Sequence, residues 1–495
     1  MITKRYISLQ IGYKAGLQSG NIITQSPAFV KSKFSENNKF IRSIVWEAPF
    51  AYNNITKKPE ESEKSMKFGF YTLGCKVNLF ETQALMRLAQ ARGHEICSRD
   101  ADAFIINTCS VTAVSDHKNL RAFHKIRREN PRAVIAACGC FAQTEPDKLR
   151  ATGEIDLICG TSARADVLAL CEAAVAGRRE TDLSRFRMPG RAFEPLPAGV
   201  PQGRTRALLK LEDGCDNYCA YCIIPYARGH VRSLPLAEAV HEAERLRDAG
   251  VHEIVLTGIE ISSYGRDLDG QPTLTDAAET LCRAVPAVYF RLGSLEPRTV
   301  NADFCARLSA LPNLRPHFHL SLQSGCDAVL ARMKRRYDTA FFLERCRMLR
   351  AAFPDCSITT DLIIGFPGET EDEFAQTLAF LETCALSDVH VFPYSARPGT
   401  PAADMDGQLP QTEKEARAVR AKAVAARTAR AYRMRFVGRT LNVLFEHRTP
   451  DGAWSGHSPY CFPVRASHPA IAKNRFVPVR ITQVTEDGLS GTALL

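Results

Sequence analysis

The chain has 495 residues, 45% of them apolar and 24% charged, with a formal net charge of +10. This length is too great for one hydrophobic core, so we expect about two to four domains. The sequence contains no run of about eighteen apolar residues, so it does not predict a membrane-spanning helix. The 17 cysteines are scattered through a long chain without an export signal, which indicates reduced thiols in the cytoplasm rather than a disulfide scaffold.

Residues 1–65 differ from the rest of the chain. They contain 10 Lys and Arg against 5 Glu and no Asp, so they supply half of the net charge. They are rich in Lys, Asn, Ser and Ile and lack a sustained hydrophobic period, which indicates a poorly ordered extension. A transit peptide, an RNA-binding arm, and a true translation start at Met66 are the other interpretations.

From residue 66 to about 185, strand-like and helix-like segments alternate. "KFGFYTLG", "AFIINTCS" and "AVIAACG" are continuous apolar runs that precede helical segments. This pattern is typical of a doubly wound parallel sheet covered by helices on both faces. Residues 186–204 carry four prolines without any period and are expected to be a linker.

Residues 205–436 contain six further strand candidates that alternate with helices, which predicts a partial βα barrel. The candidates are "RALLKLEDG", "EIVLTG", "YFRLGS", "PHFHLSL", "CSITTDLIIGFPG" and "SDVHVFPYS". The stretch closes with a long basic helix over 411–436. Residues 437–495 switch to short strands separated by Gly, Pro and Asp, which predicts a small antiparallel barrel. The expected fold class is therefore α/β and multidomain.

A loop that follows the first of these strands carries three cysteines within eight positions. "GCDNYCAYC" places Cys215, Cys219 and Cys222 around one point. Zinc would need a fourth Cys or His at short spacing, and none follows. An iron–sulfur cluster held by three cysteines keeps one iron open for a reacting ligand. Three core cysteines that cluster by chance are the less favoured reading.

The first sheet has three cysteines of its own at predicted strand ends: Cys75, Cys109 and Cys140. Ligands collect at the carboxyl ends of the strands in an open parallel sheet. Widely separated cysteines are weak evidence by themselves, because lone cysteines are common in hydrophobic cores.

The motifs around both sets resemble those of known enzymes. The loop "GCDNYCAYCIIPYARG" resembles the radical S-adenosylmethionine (SAM) enzymes, and together with "LGCKVN", "NTCSV" and "GCFAQ" it is similar to the methylthiotransferase family over residues 66–495. The resemblance implies two 4Fe-4S clusters with one open iron each, one on Cys75, Cys109 and Cys140 and one on Cys215, Cys219 and Cys222. Cys138 falls outside the family pattern and is expected to be a structural thiol.

The resemblance also implies SAM contacts at the ends of successive barrel strands. The candidates are Gly258, Glu260, Arg291, Ser294, Glu296, Ser321, Gln323 and Asp361. Tyr394, Arg397 and Thr400 either face the substrate or belong to a plain loop. The last barrel resembles the TRAM domain, an RNA-binding module, so the basic helix before it supplies candidate phosphate contacts: Arg417, Arg420, Lys422 and Arg427.

Within the family, "LGCKVN" resembles the members that act on threonylcarbamoyladenosine beside the tRNA anticodon (the MtaB type). Members acting on isopentenyladenosine read nearer to "YGCQMN", and those acting on a ribosomal protein nearer to "LGCPKN". Glu260 stands where many relatives have His, which weakens its assignment as a SAM contact. The implied reaction uses one SAM as methyl donor and a second as the source of a deoxyadenosyl radical, and replaces the hydrogen on carbon 2 of the adenine with a methylthio group.

Three other functions remain open from the residues alone. A sister methylthiotransferase differs in its product nucleoside. An electron-transfer iron–sulfur protein would normally use four cysteines per cluster. An RNA-binding protein with structural zinc would differ in its metal content. An enzyme of the implied class also needs an external electron donor.

Overall fold

The computed structural model describes residues 65–177, 190, 192–200 and 205–495. The predictions for the extension before residue 65 and for much of the linker lie outside the described residues. Every described residue belongs to one compact unit that spans residues 51–495. Within the described residues, no helix combines the length and the apolar character needed to cross a bilayer.

The first part is a five-stranded parallel sheet in the order β2-β1-β3-β4-β5. The central strand β3 is buried along its whole length, and its side chains alternate between two hydrophobic cores on opposite faces of the sheet. The predicted doubly wound sheet is therefore confirmed. The strands are β1 (Lys67–Thr72), β2 (Glu95–Cys97), β3 (Ala103–Thr108), β4 (Val134–Gly139) and β5 (Leu157–Ile158). The helices are α1 (Lys76–Ala91), α2 (Ala113–Glu129), α3 (Cys140–Thr144), α4 (Pro146–Arg150) and α5 (Asp166–Val175).

The central part is an open βα barrel, and each of the six predicted segments contains one of its main strands. Two parallel sheets, β10-β9-β6 and β11-β12-β13-β14, are joined by a single parallel bridge between Phe290 and Leu314. The strands are β6 (Arg206–Lys210), β7 (Glu212–Asp213), β8 (Arg232–Ser233), β9 (Glu253–Thr257), β10 (Tyr289–Leu292), β11 (Ser294–Leu295), β12 (His317–Leu320), β13 (Ser357–Ile364) and β14 (Asp388–Pro393).

Helices cover the outside of this barrel. Two of them, α8 and α12, begin with reciprocal capping boxes, Thr273 with Asp276 and Thr370 with Glu373, which satisfy the free N–H groups of the first turn. The helices are α6 (Ile224–Arg228), α7 (Leu236–Asp248), α8 (Leu274–Ala284), α9 (Ala302–Ser309), α10 (Asp327–Arg332), α11 (Thr339–Ala352), α12 (Glu371–Cys384) and α13 (Gln411–Met434).

The last part is a closed five-stranded barrel in the order β15-β16-β17-β19-β18. Its core contains Val443, Val464, Val479 and Ile481. One neighbouring pair, β17 with β19, is parallel, although the sequence predicted an antiparallel barrel. A ring with an odd number of strands cannot alternate direction at every step, so one parallel pair is required. The strands are β15 (Thr440–Arg448), β16 (Trp454–His457), β17 (Pro463–Ala466), β18 (Arg475–Val484) and β19 (Leu489–Ala493).

This small barrel docks at the amino ends of the open barrel's strands. At the start of β6, Arg206 Nε lies 3.0 Å from Glu446 Oε1. The ring of Phe476 lies 5.3 Å from that of Tyr289, the first residue of β10, and 6.0 Å from that of His252, which precedes β9. The small barrel therefore leaves the carboxyl ends of the strands uncovered. The three-cysteine loop lies at these ends, and they face the first sheet.

A buried ion-pair network joins the first sheet to that end of the barrel. Arg228 lies just beyond the cysteine loop. The carboxylate of Glu81 on α1 accepts hydrogen bonds from both of its terminal nitrogens, at 2.8 and 3.2 Å. Its carboxylate also lies 3.1 Å from Arg164 and 3.5 Å from Lys210 at the end of β6. Asp213 lies 2.9 Å from the same Arg228 and 3.1 Å from Lys210.

Two carboxylates of this network, those of Glu81 and Asp213, are held in the charged form. Burial alone would raise the pKa of Glu81, but Arg164, Arg228 and Lys210 outweigh it and lower the pKa to about 2. Burial is likewise outweighed at Asp213, chiefly by Arg228 and Lys210, so its pKa lies well below the usual range. A buried charge that loses its partner costs much more than an exposed one.

Replacing the Glu81 carboxylate therefore tests the network. We predict that Glu81→Gln lowers the free energy of unfolding of the metal-free protein by about 3 kcal/mol or more at pH 7, since it leaves buried cations uncompensated. The pKa of Glu81 is lowered from 4.5 to about 2, so this loss is full above pH 4.5 and shrinks as the pH falls toward 2. Urea titrations followed by circular dichroism at several pH values measure it.

Glu212 supplies a matched control, because it is equally buried but burial raises its pKa well above the usual carboxyl value. Glu212 takes part in none of the ion pairs of this network, so Glu212→Gln leaves its cations paired and should change the free energy of unfolding by less than about 1 kcal/mol. Equal losses in the two variants would contradict the network's electrostatic role.

Candidate functional site

The structure brings Cys75, Cys109 and Cys140 together at the carboxyl edge of the first sheet. Cys75 begins helix α1 after β1, Cys109 follows β3, and Cys140 begins helix α3 after β4. The order β1-β3-β4 makes these strands neighbours, so three positions far apart in the sequence meet at one edge. We call these three residues the first triad.

Gly74 explains how closely two of these cysteines approach. Its φ of +104° lies in the left-handed region, and a Cβ added there would sit 2.5 Å from Cys109 Cβ and 2.7 Å from Cys109 Sγ. Any side chain at residue 74 would therefore collide with Cys109. Gly214, directly before Cys215, has the same constraint, since its φ is +88° and an added Cβ would lie 2.0 Å from the carbonyl oxygen of His230.

The second triad, Cys215, Cys219 and Cys222, lies in the loop after β6 and β7. Backbone hydrogen bonds fix this loop: Cys215 N donates to Gly229 O at 3.0 Å, and Cys222 N donates to Cys219 O at 3.0 Å. Ala220 N donates to Met333 O at 3.0 Å, which ties the loop to the end of α10. Cys215 and Cys219 are buried and Cys222 is half-buried.

All 17 cysteines are free thiols, so neither triad is consumed by a disulfide. Burial raises the pKa of Cys109 to about 12, that of Cys222 to about 12, and those of Cys140 and Cys215 as well. A buried thiol loses its proton readily when a nearby cation or a bound metal stabilises the negative charge of the thiolate.

Each triad receives one guanidinium hydrogen bond. Arg228 Nε donates to Cys140 Sγ at 3.3 Å in the first triad, and Arg335 Nη1 donates to Cys219 Sγ at 3.2 Å in the second. Both arginines are therefore placed to stabilise a thiolate. Hydrogen bonds to cysteine sulfur are also among the features that set the potential of an iron–sulfur cluster.

The spacing of the thiols bears on which metal group they suit. Among the described residues, one group of three potential metal ligands has its ligand atoms within 4.8 Å of one another, namely His319, Asp361 and His390. The sulfur atoms of each cysteine triad are spaced more widely than this. Three thiolates on one zinc ion at about 2.3 Å would lie within about 4 Å of one another. The wider spacing suits a cluster of several irons.

A cavity of about 230 Å³ lies beside Cys222 of the second triad and next to the segment that follows Cys109 of the first. Val111 and Thr112, just after Cys109, line one side, and Tyr221 and Cys222 line another. The remaining lining residues come from the strand ends of the open barrel and include Gln323, Asp361, Ile363, Phe392 and Tyr394. One compound bound here would touch the surroundings of both triads.

Several predicted SAM contacts do lie beside the second triad. Glu260 Oε2 accepts from Asn217 Nδ2 at 3.3 Å, and Asn217 is part of the cysteine loop. Gly258 lies against Glu212, whose Oε2 would be 2.7 Å from an added Cβ. Glu296 lines a small recess together with Cys219.

The other predicted contacts are placed differently. Arg291 is buried and bonded to Glu253 at 2.9 Å and to Pro459 O of the small barrel at 3.3 Å, so it faces away from the cysteine loop. Ser294 is exposed on β11, and the carbonyl of Ser321 accepts a hydrogen bond from the Tyr337 hydroxyl. Arg397 pairs with Asp116 on α2 and Thr400 donates to Arg397 O, so that loop also joins the first sheet to the barrel.

The prediction of Arg417 as an RNA contact was wrong. Its guanidinium is buried and lies 3.0 Å from Glu369 and 2.6 Å from Glu413, so it fastens α13 to the barrel and cannot reach a phosphate. Arg420 and Arg427 are exposed but each lies 2.6 Å from a glutamate, Glu371 and Glu382 respectively. Lys422 is exposed.

Sequence reasoning missed four residues that contact or adjoin the triads: Lys76, Glu212, Arg228 and Arg335. Lys76 and Glu212 are one and three residues from a predicted cysteine ligand, which was the available signal. Arg228 and Arg335 act across separations of 88 and 116 residues, and nothing local in the sequence announces such pairs.

Comparison with known proteins agrees with this arrangement. Residues 210–381 match the radical SAM superfamily, and residues 67–160 match a family described as the uncharacterized protein family UPF0004. A structure of the radical SAM methyltransferase TsrM from Kitasatospora setae superimposes with a TM-score of 0.51 over 69% of this chain and 77% of that one, at 14% identity, which shows a shared fold.

Curated relatives match over most of their length. The threonylcarbamoyladenosine tRNA methylthiotransferase MtaB of Bacillus subtilis is 38% identical over 76% of this chain and 84% of its own. The MtaB protein of Thermotoga maritima is 35% identical over 84% of this chain and 95% of its own. A tRNA-2-methylthio-N(6)-dimethylallyladenosine synthase of Syntrophotalea carbinolica is 32% identical over 84% and 97%. The chain belongs to the radical SAM methylthiotransferase family and is an enzyme of that class.

Proposed function

We propose that this protein adds a methylthio group to carbon 2 of N6-threonylcarbamoyladenosine in tRNA, beside the anticodon. The single observation that carries the proposal is this cavity, because it is lined by Cys222 and by the residues that follow Cys109. A substrate base held there would lie beside Cys222 and beside the segment that leaves the first triad at Cys109.

The family implies a 4Fe-4S cluster and SAM, and we assign one such cluster to each triad. Each cluster, when bound by three cysteines, supplies an open iron, used at the second triad for the reductive cleavage of SAM and at the first for the sulfur to be transferred. An external one-electron donor is required.

The chain's own residues give the two triads different surroundings. Arg228 contacts Cys140 and belongs to an ion-pair network that, among the described residues, has one more cation than carboxylates. Its four cations are Arg164, Lys210, Arg228 and Arg232, and its three carboxylates are Glu81, Glu194 and Asp213. At the second triad, burial raises the pKa of the Glu212 carboxyl well above its usual range, and its Oε2 accepts a hydrogen bond from the backbone N–H of Glu260 at 2.7 Å, which orients the loop assigned to SAM. Val111, Ile223 and Phe392 give the cavity beside this triad an apolar lining.

The substrate assignment rests on the sequence word "LGCKVN" and on relatives named for threonylcarbamoyladenosine at 33–38% identity. Relatives named for dimethylallyladenosine match at 31–33%, so the sister activity is the alternative that the product must exclude.

We assign one role to each of three parts of the chain. We assign residues 66–185 to the sulfur-bearing domain, 205–436 to the radical SAM barrel with its basic helix, and 437–495 to a TRAM-like domain that binds tRNA through exposed cations. Arg420, Lys422 and Arg427 remain the candidates on α13. A tRNA substrate places the reaction in the cytoplasm.

The product identifies the substrate. We predict that the full chain, reconstituted with iron and sulfide under anaerobic conditions, converts tRNA with SAM and dithionite into tRNA containing 2-methylthio-N6-threonylcarbamoyladenosine. Mass spectrometry of the digested tRNA detects it, and Cys109→Ala and Cys219→Ala should each abolish it. Methylthio-isopentenyladenosine as the product would select the sister activity, and deoxyadenosine without either nucleoside would reject both substrates.

Iron content tests the assignment of the first triad. We predict that Gly74→Ala, which drives a Cβ into Cys109, reduces bound iron from about eight to about four atoms per chain, because one of two 4Fe-4S clusters is lost. Gly93→Ala is the matched control: Gly93 has a similar φ of +84° but nothing within 4 Å of an added Cβ, so its iron content should stay at the wild-type level. Equal iron in both variants would argue against a cluster on the first triad.

A further inference from the structure

Strand β13 carries a carboxylate that lies between histidines of its two neighbouring strands. Asp361 on β13 is paired in the sheet with His390 on β14. Thr359, two residues earlier on β13, is paired with His319 on β12. Residues two apart on a strand point to the same face, so these side chains share one face of the sheet. Asp361 also lines the cavity beside Cys222, so this face is turned toward the interior of the open barrel.

The distances between these side chains fit ligands around a metal ion better than they fit ion-pair hydrogen bonds. His390 Nδ1 lies 3.2 Å from one oxygen of Asp361, and His319 Nε2 lies 3.4 Å from the other. Hydrogen bonds between a charged N–H and a carboxylate are usually about 2.7–2.9 Å long. Two atoms that each lie about 2.1 Å from one ion are about 3.0–3.4 Å apart at bond angles of about 90–109°. One ligand atom from each of the three residues lies within 4.8 Å of the other two.

Each histidine also has an oxygen beside its other ring nitrogen. His319 Nδ1 lies 3.0 Å from the hydroxyl of Thr359, and His390 Nε2 lies 3.9 Å from a carboxylate oxygen of Asp388. In protein metal sites, the ring nitrogen that does not bind the ion is usually held by such an oxygen, which fixes the tautomer and aims the other nitrogen at the metal. The nitrogens left over here, Nε2 of His319 and Nδ1 of His390, are the two that face Asp361.

The three side chains differ in their exposure to solvent. His319 is buried, Asp361 is half-buried and His390 is exposed. The exposed side of the group therefore gives an ion a path of entry, which a metal site needs. Three protein ligands leave coordination positions of an ion open to a further ligand. Because Asp361 is part of the cavity wall, a compound in that cavity lies within reach of such a position.

We propose that His319, Asp361 and His390 bind one divalent transition-metal ion at the wall of the cavity, separate from both cysteine triads. Two imidazoles and one carboxylate suit first-row ions such as Fe²⁺, Mn²⁺ and Zn²⁺. The ion acts as a Lewis acid that holds an oxygen atom of the compound in the cavity. Asp361, which the resemblance assigned to SAM, is therefore a metal ligand. The inference goes beyond the proposed function and does not depend on the reaction that the triads perform.

Manganese binding tests the site, because Mn²⁺ prefers oxygen ligands and is a poor partner for thiolates. The full-length protein, reconstituted anaerobically with iron and sulfide, is dialysed against a series of Mn²⁺ concentrations, and bound manganese is counted by mass spectrometry. We expect the wild type to bind about one Mn²⁺ per chain, and Asp361→Asn and His390→Ala each to lower the affinity at least about tenfold through the loss of one ligand. His124→Ala is the matched control, since His124 is an exposed histidine paired with one carboxylate, Glu154, and its loss should leave the affinity unchanged.

Three results would overturn this inference. If the wild type retains no manganese, the three side chains form hydrogen bonds and nothing more, whatever the variants do. If Asp361→Asn and His390→Ala bind Mn²⁺ as tightly as the wild type, the ion lies elsewhere on the protein. If His124→Ala weakens binding as much as they do, the loss is not specific to this group. The manganese count requires no product nucleoside, so failure of the methylthiolation assay leaves this test intact.

Discussion

The buried contact between Glu81 and Arg228 is the interaction on which the rest of the site depends. It joins helix α1, which directly follows Cys75, to the segment just beyond Cys222, across 147 residues of sequence. Through the same guanidinium it reaches Cys140 and Asp213. One arginine therefore sets the position of the first triad relative to the loop that carries the second. An ion pair this deeply buried holds two bodies in one register, because any slip would leave a desolvated charge without a partner.

The open barrel is organised in layers along its axis. The small barrel closes the amino ends of β6, β9 and β10 through Glu446 and Phe476. A polar middle layer follows, in which arginines and histidines share Glu253 and Asp361. The carboxyl ends carry the cysteine loop and meet the first sheet. This order separates the site of chemistry from the contacts that hold the small barrel in place, with the polar middle layer between them.

Much of this architecture follows from the sequence, because hydrophobic period and strand-end position are local properties. The six barrel strands were predictable from continuous apolar runs and the second triad from its close spacing, whereas the grouping of the first triad came from the resemblance of its motifs to a known family. Pairings between distant residues were not. Arg291 has the strand-end position of a SAM contact, but its partner Glu253 lies on the neighbouring strand and turns it toward the small barrel.

Arg417 shows the limit of pattern reading on a helix. Helix α13 is rich in alanine and arginine around its whole circumference, so its sequence does not reveal which face is buried. The buried face of this helix is set by Glu369, a buried carboxylate in the turn between β13 and α12, which pairs with Arg417. Only the exposed cations of this helix remain available to RNA.

The central claim is that the two triads hold two iron–sulfur clusters on either side of one cavity. Electron paramagnetic resonance of the dithionite-reduced, reconstituted protein tests it most directly. Two reduced clusters on either side of one small cavity should couple magnetically, so the wild-type spectrum should be broadened and split, whereas Cys109→Ala and Cys219→Ala should each give the simple signal of one isolated cluster. A wild-type spectrum that shows only one isolated cluster, or two uncoupled ones, would contradict the account.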